Sequence, residues 1–118
     1  MKKAIIEIIG DLNDITITGL KGRLANAKGE FDFFYPMESV ENSNMLLVSH
    51  VSEEFIQAIG ELIEQEVLSF SPTNVFVAAH DGGEVYTLPI VKSKKPRVYE
   101  KPHWLPLLLV KGKKFPSV

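Results

Sequence analysis

The chain has no cysteine, which at once excludes a disulfide framework, a thiolate metal site and a thiol nucleophile. That fits a reducing compartment. Long apolar runs are also missing. The longest near the end, "LPLLLV" at 105–110, is far short of the ~20 residues needed to cross a bilayer. The opening "MKKAIIEIIGDLND" has two lysines before an apolar run, as a secretory leader would. Glu7 breaks that run, however, Asp11 follows it, and no small-residue cleavage site appears. The expectation is a soluble, cytoplasmic chain with no membrane partner. There is no P-loop, GxGxxG, GxSxG or HExxH, so no cofactor, metal site or enzymatic activity is expected.

One kind of charge is absent over a long stretch. Between residues 29 and 91 there is no lysine or arginine. Residues 1–91 carry five basic and fourteen acidic side chains, a balance of −9, whereas residues 92–118 carry eight basic ones and only Glu100, a balance of +7. The net charge of −2 conceals this asymmetry, and asymmetry between the parts of a chain suggests a nucleic-acid or acidic partner. Two basic clusters stand out. One is the glycine-rich stretch with Lys21, Arg23 and Lys28. The other is a proline-spaced C-terminal segment, residues 92–118, with Lys92, Lys94, Lys95, Arg97, Lys101, Lys111, Lys113 and Lys114. Tyr99, Trp104 and Phe115 interleave the second. Cations that track phosphates beside rings that stack on bases are what single-stranded nucleic acid requires. The candidate binding residues are Lys21, Arg23, Lys28, Lys94, Lys95, Arg97, Tyr99, Lys101 and Trp104. Glycines in the first cluster would let backbone N–H groups approach a phosphate. Two structural readings compete: the basic segment docks on the protein's own acidic surface or on that of a second copy, and Trp104 is a core plug.

At 118 residues the chain reads as one domain able to bury its own core. "KAIIEII" and "DITIT" suggest two strands joined by a turn at "GDLND". "GLKGRLANAKG" reads as a loop with at most one helical turn, and "EFDFFYP" and "MLLVSH" as further strands. Ser52 to about Leu68 is the main helix, with Ser52 as N-cap, Glu53 and Glu54 at the positive end of the helix dipole, and a buried stripe of Ile56, Ile59, Ile63 and Val67. Strands "NVFVAAH", "EVYTLPIV" and "PLLLV" follow. A strand, a helix and a strand in succession allow a right-handed crossover, with His50 and His80 at two parallel strand ends. The class expected is strand-rich α+β: a mixed sheet or small β-barrel crossed by one helix.

"HDGGE", residues 80–84, invites two readings. His50, His80 and Asp81 would be the raw material of a metal-dependent hydrolase, but no close histidine spacing supports it. Asp-Gly and Gly-Gly between apolar runs read better as a hairpin tip. A three-residue loop, 81–83, would set His80 opposite Glu84 and Phe76 opposite Leu88.

The stretch "TITGLKGRLANAKGEFDFFYP" and the closing "WLPLLLVKGKKF", in a cysteine-free chain of this size, resemble the PrgU-like proteins, small regulators of Gram-positive conjugative plasmids. The resemblance implies a PUA-like pseudo-barrel and a role on transcripts of conjugation or surface-adhesin genes. Three functions are therefore carried forward. A non-enzymatic RNA-binding regulator leads, a protein-interaction or homo-oligomerising module follows, and the hydrolase comes last.

Overall fold

The first segment departs from expectation. In the computed structural model, which describes residues 1–37, 42–92 and 97–116, Lys2–Leu12 forms helix α1 and not a strand. Intrinsic preferences amount to well under ~1 kcal/mol per residue and yield to packing. Here the packing follows helical spacing. Ile5 and Ile9, one turn apart, are fully buried, while Lys3, Glu7, Gly10 and Asp11 face outward. Asn13 stops the helix in the left-handed conformation, φ 73°, and its N–H donates to the Ile9 carbonyl.

"ITIT" is not an alternating strand either. Strand β1 is only Asp14–Thr16. The Thr16 hydroxyl then accepts the Gly19 N–H at 3.1 Å and caps helix α2, Ile17–Arg23. Residues 15–21 are all buried. The expected glycine-rich loop is thus a helix followed by a 3-10 turn at Ala25–Ala27.

Strands β2, Lys28–Phe34, and β3, Met45–Val51, form where the sequence places them. They pair antiparallel with a bulge. Phe31 lies opposite Val51 and Phe33 opposite Val48, so Ser49 and His50 together face Asp32. His50 takes the extra residue's conformation, φ 56°. Helix α3, Glu53–Glu64, starts on the expected cap, with Ser52 Oγ accepting the Phe55 N–H at 3.1 Å. Its fully buried face is Phe55, Ala58, Ile59 and Leu62, while the expected Ile56, Ile63 and Val67 are half-buried. Glu66 turns left-handed at φ 61° and ends the helix short of Leu68, where strand β4, Leu68–Pro72, begins.

"NVFVAAH" is the second reversal. Asn74 Oδ1 accepts the Val77 N–H at 3.1 Å and caps helix α4, Val75–His80. Residues 84–91 form no strand beyond a bridge between Ile90 and Trp104. Strands β5, His103–Trp104, and β6, Leu107–Lys111, complete the elements.

Among the described residues the strands make two three-stranded sheets, not a closed barrel. One has the order β1-β6-β4, all antiparallel; the other has β2-β3-β5, with β5 parallel to β3. The strand after α3 joins the opposite sheet from β3, so the expected crossover does not form. One hydrophobic core draws on α1, β1, α2, β2, β3, α3, β4 and β6. Because β6 is a central strand with Leu107 and Leu109 buried, residues 107–111 of the basic segment are framework and not a loose tail. Among the described residues no helix is long and apolar enough to cross a membrane.

Candidate functional site

The two basic clusters meet different fates. Lys21, on α2, is buried at 6% exposure. Its ammonium donates to Glu84 Oε1 at 2.6 Å and to the Ser49 carbonyl at 2.9 Å. The Tyr86 hydroxyl donates to the same carboxylate oxygen at 3.0 Å and accepts the Ser49 N–H at 2.8 Å. Ser49 Oγ donates to Asp32 Oδ1 at 2.6 Å. A serine has one hydroxyl hydrogen, so the 3.0 Å contact between Ser49 Oγ and His50 Nδ1 requires Nδ1–H as donor. Partial burial raises the Glu84 carboxyl, but the hydrogen bonds from Lys21 and Tyr86 and the charges of Lys21 and His50 outweigh it, leaving the group below its ordinary 4.5. The Tyr86 phenol is raised, first by burial and then by the adjacent Glu84 charge, against the Ser49 N–H, which favours the phenolate. The Lys21 ammonium has two internal acceptors, and the Tyr86 and Ser49 hydroxyl hydrogens have one each. Lys21 is thus a structural cation and not a phosphate contact.

"HDGGE" supplies the other half of this clasp. It is not a hairpin tip, and His80 does not pair with Glu84 nor Phe76 with Leu88. Gly82, at φ 76°, terminates α4, and the N–H groups of Gly82 and Gly83 return to the Ala79 and Ala78 carbonyls. The Asp81 carboxylate accepts the Thr16 N–H at 2.9 Å. Gly83 then passes against α2 so closely that a Cβ there would stand 2.4 Å from Thr18 Oγ1 and 2.6 Å from the Gly19 nitrogen. The five residues strap the chain onto α2, and Glu84 fastens the strap. His50 bonds within the bulge and Asp81 with Thr16. Among the described residues no group of three His, Asp or Glu side chains could hold a metal ion.

Beyond the strap the chain forms one wall of an open groove of about 590 Å³, lined by Pro89, Ile90, Lys92, Arg97, Tyr99 and His103. Backbone pairing fixes that wall, since the Trp104 N–H donates to the Pro89 carbonyl at 2.8 Å and the Val91 N–H to the Trp104 carbonyl at 2.9 Å. The Tyr99 and His103 rings stack with centroids 4.0 Å apart and planes 22° from parallel. The Arg97 guanidinium lies 4.6 Å from the Tyr99 centroid, within cation–π range. His103 Nδ1 is 2.9 Å from the Lys101 carbonyl. A carbonyl only accepts, so Nδ1 carries the hydrogen and Nε2 is the acceptor of the neutral ring. Lys92, Arg97 and Lys101 are exposed.

Of the nine residues expected to bind nucleic acid, Arg97, Tyr99 and Lys101 therefore come together. Trp104, next in the chain to His103, does not join them. It is fully buried and meets Tyr86 edge to face at 5.0 Å, so no base can reach it. Lys94 and Lys95 lie outside the described residues. Arg23 and Lys28 are exposed but sit elsewhere. Lys28 lies opposite Val51 and His103 opposite Met45, six residues apart on β3, or roughly 20 Å of strand. At the far end of the segment, Lys114 makes an exposed ion pair with Glu66 at 3.3 Å, and its N–H donates to the Glu66 carbonyl. Sequence reasoning passed over Lys92 and His103. The usable signal was "YEKPH", which returns a ring four residues after Tyr99. Comparison with protein-family models, curated proteins and solved structures finds no match for this chain.

Proposed function

We propose that this protein is a non-enzymatic RNA-binding regulator that takes single-stranded RNA at the groove beside Tyr99. The observation that carries this reading is the Arg97–Tyr99–His103 column at the rim of an open groove. Two exposed cations, Lys92 and Arg97, line the groove with it, and no carboxylate does among the described residues. Aromatic faces bind bases irrespective of sequence, and exposed cations bind the phosphates between them. The resemblance to PrgU-like regulators supports cytoplasmic transcripts of conjugation or adhesin genes as targets, and a PUA-like arrangement of the two sheets.

The test is fluorescence anisotropy of a labelled single-stranded RNA across a salt series. Affinity lost through counterion release falls linearly on a log–log plot, with a slope of about −0.7 per phosphate contact on a single strand. Lys92 and Arg97, the two cations that line the groove, together give a slope of about −1.4. Arg97→Ala is expected to flatten it by the share of one contact. No binding at low salt, or a slope indifferent to Arg97→Ala, overturns the reading.

A further inference from the structure

We infer that the groove is a single-nucleotide pocket, with the base on the Tyr99–His103 column and the phosphate on Lys92 and Arg97, and not one stop on a long cationic track. The inference rests on the nucleic-acid reading above and narrows it.

The first ground is the terrain between the two basic clusters. Within the sheet, the line from His103 to Lys28 runs along β3. Residues 45–48 of that strand are buried with alternating side chains pointing to both faces, so neither face is open to a ligand there. Beyond them, at Ser49, stand the carboxylates of Asp32 and Glu84, and Glu30 on β2 is exposed. The Lys21 cation, which might have bridged the gap, is buried and already held by Glu84. Among the described residues, a polyanion leaving the groove along β3 finds an apolar strand and then negative charge.

The second ground is size and polarity. At about 590 Å³ the groove falls within the ~300–1,000 Å³ typical of small-molecule sites. Pro89 and Ile90 supply an apolar wall, the ring column supplies a flat one, and Lys92 and Arg97 supply charge. On its other flank the same column borders a second groove of about 470 Å³, where Glu100 stands beside Lys101. Glu100 offsets one of the cations there, so a phosphate is favoured on the Lys92–Arg97 side, where no carboxylate lines the groove among the described residues. His103 Nε2, left as an acceptor by the Lys101 carbonyl, can take a ribose hydroxyl or a base amino group. The chemistry selected is a planar base bearing a phosphate. A free mononucleotide and one unit of an RNA strand both provide it.

The experiment measures affinity for adenosine monophosphate, adenosine, inorganic phosphate and oligoadenylates from the dimer to the decamer, by amide chemical-shift titration of the intact protein. Both AMP and the dimer are expected to bind, adenosine and phosphate alone to bind far more weakly, and affinity to level off after the first units. Tyr99→Ala is expected to lower affinity roughly tenfold and Arg23→Ala/Lys28→Ala to leave it unchanged. AMP binding as well as the dimer identifies a free nucleotide as a sufficient ligand; a requirement for the dimer identifies a unit of a strand. Affinity climbing steadily to the decamer, and falling with Arg23→Ala/Lys28→Ala, overturns the single-nucleotide pocket while leaving RNA binding intact. No binding by any of these probes overturns both.

Discussion

The clasp around Lys21 and the groove beside Tyr99 are made from the same materials: a cation, a tyrosine, a histidine and a serine- or proline-bearing loop. In the clasp the cation and both hydroxyls have internal partners. Lys21 gives its hydrogens to Glu84 and Ser49, Tyr86 gives its own to Glu84, and Ser49 answers to Asp32. In the groove the cations are exposed, and the partner of Arg97 among the described residues is the face of the Tyr99 ring. Burial decides which cations are used up within the fold and which remain exposed. A lysine with a carboxylate 2.6 Å away gains little from a phosphate and would leave a half-buried charge unpaired if it swung out.

The comparison breaks most readily on the buried side. Trp104→Ala is expected to cost about 4 kcal/mol of unfolding free energy, as for other fully buried large aromatics. Trp104→Phe should cost far less and, in denaturant titration and RNA anisotropy, leave affinity unchanged. If Trp104→Phe abolishes binding without loss of stability, the tryptophan belongs to the groove and the division drawn here is wrong. Gly83→Ala comes next. The added Cβ meets backbone at Gly19 and the Thr18 hydroxyl, so a loss of about 2–3 kcal/mol is expected by thermal unfolding, with the strap lifted from α2. Gly82→Ala, strained by φ 76° but with open space around it, should cost about 1 kcal/mol. On the groove side, Tyr99→Ala is expected to leave stability within ~0.5 kcal/mol, so its binding defect is separable from folding.

The smallest effect concerns acid. Because the Glu84 carboxyl is held below its ordinary 4.5, its ionised form stabilises the fold. That contribution is complete above the ordinary value and is lost as pH falls through the depressed one. Glu84→Gln should therefore lower the denaturant midpoint modestly at pH 7, and the two proteins should converge as pH drops below about 4.5. A gap that persists in acid assigns the effect to packing and not to the ion pair.

How far the sequence foretold all this varied by element. Strands β2, β3 and β6 and the Ser52 cap were legible because their cues are local: alternation, a short apolar run, a hydroxyl before two glutamates. Helix α1 was misread because four isoleucines look like a strand unless Ile5 and Ile9 are seen as one helical turn. Helix α4 carried its own signal, Asn74 as a cap, but six residues are too short for periodicity to speak. The glycines of "HDGGE" were recognised as special for a turn. Their tertiary reason, a helix end and a close pass over α2, needs a partner distant in the chain. The same holds for Lys21, whose charge looked available until Glu84 came to meet it. Arg97, Tyr99 and Lys101 were legible as a group because they are neighbours in the chain, so tertiary structure had only to leave them exposed.

The place of β6 has one more consequence. Asp14 pairs with Val110 and Ser69 pairs with the same residue from the other side, so the sheet that seats α1 has no centre until residues 107–111 are present. During synthesis the first helix emerges long before the strand that completes its floor. Ile5 and Ile9 lack that floor until β6 has paired, a contact between residues far apart in the chain and of the kind that slows folding.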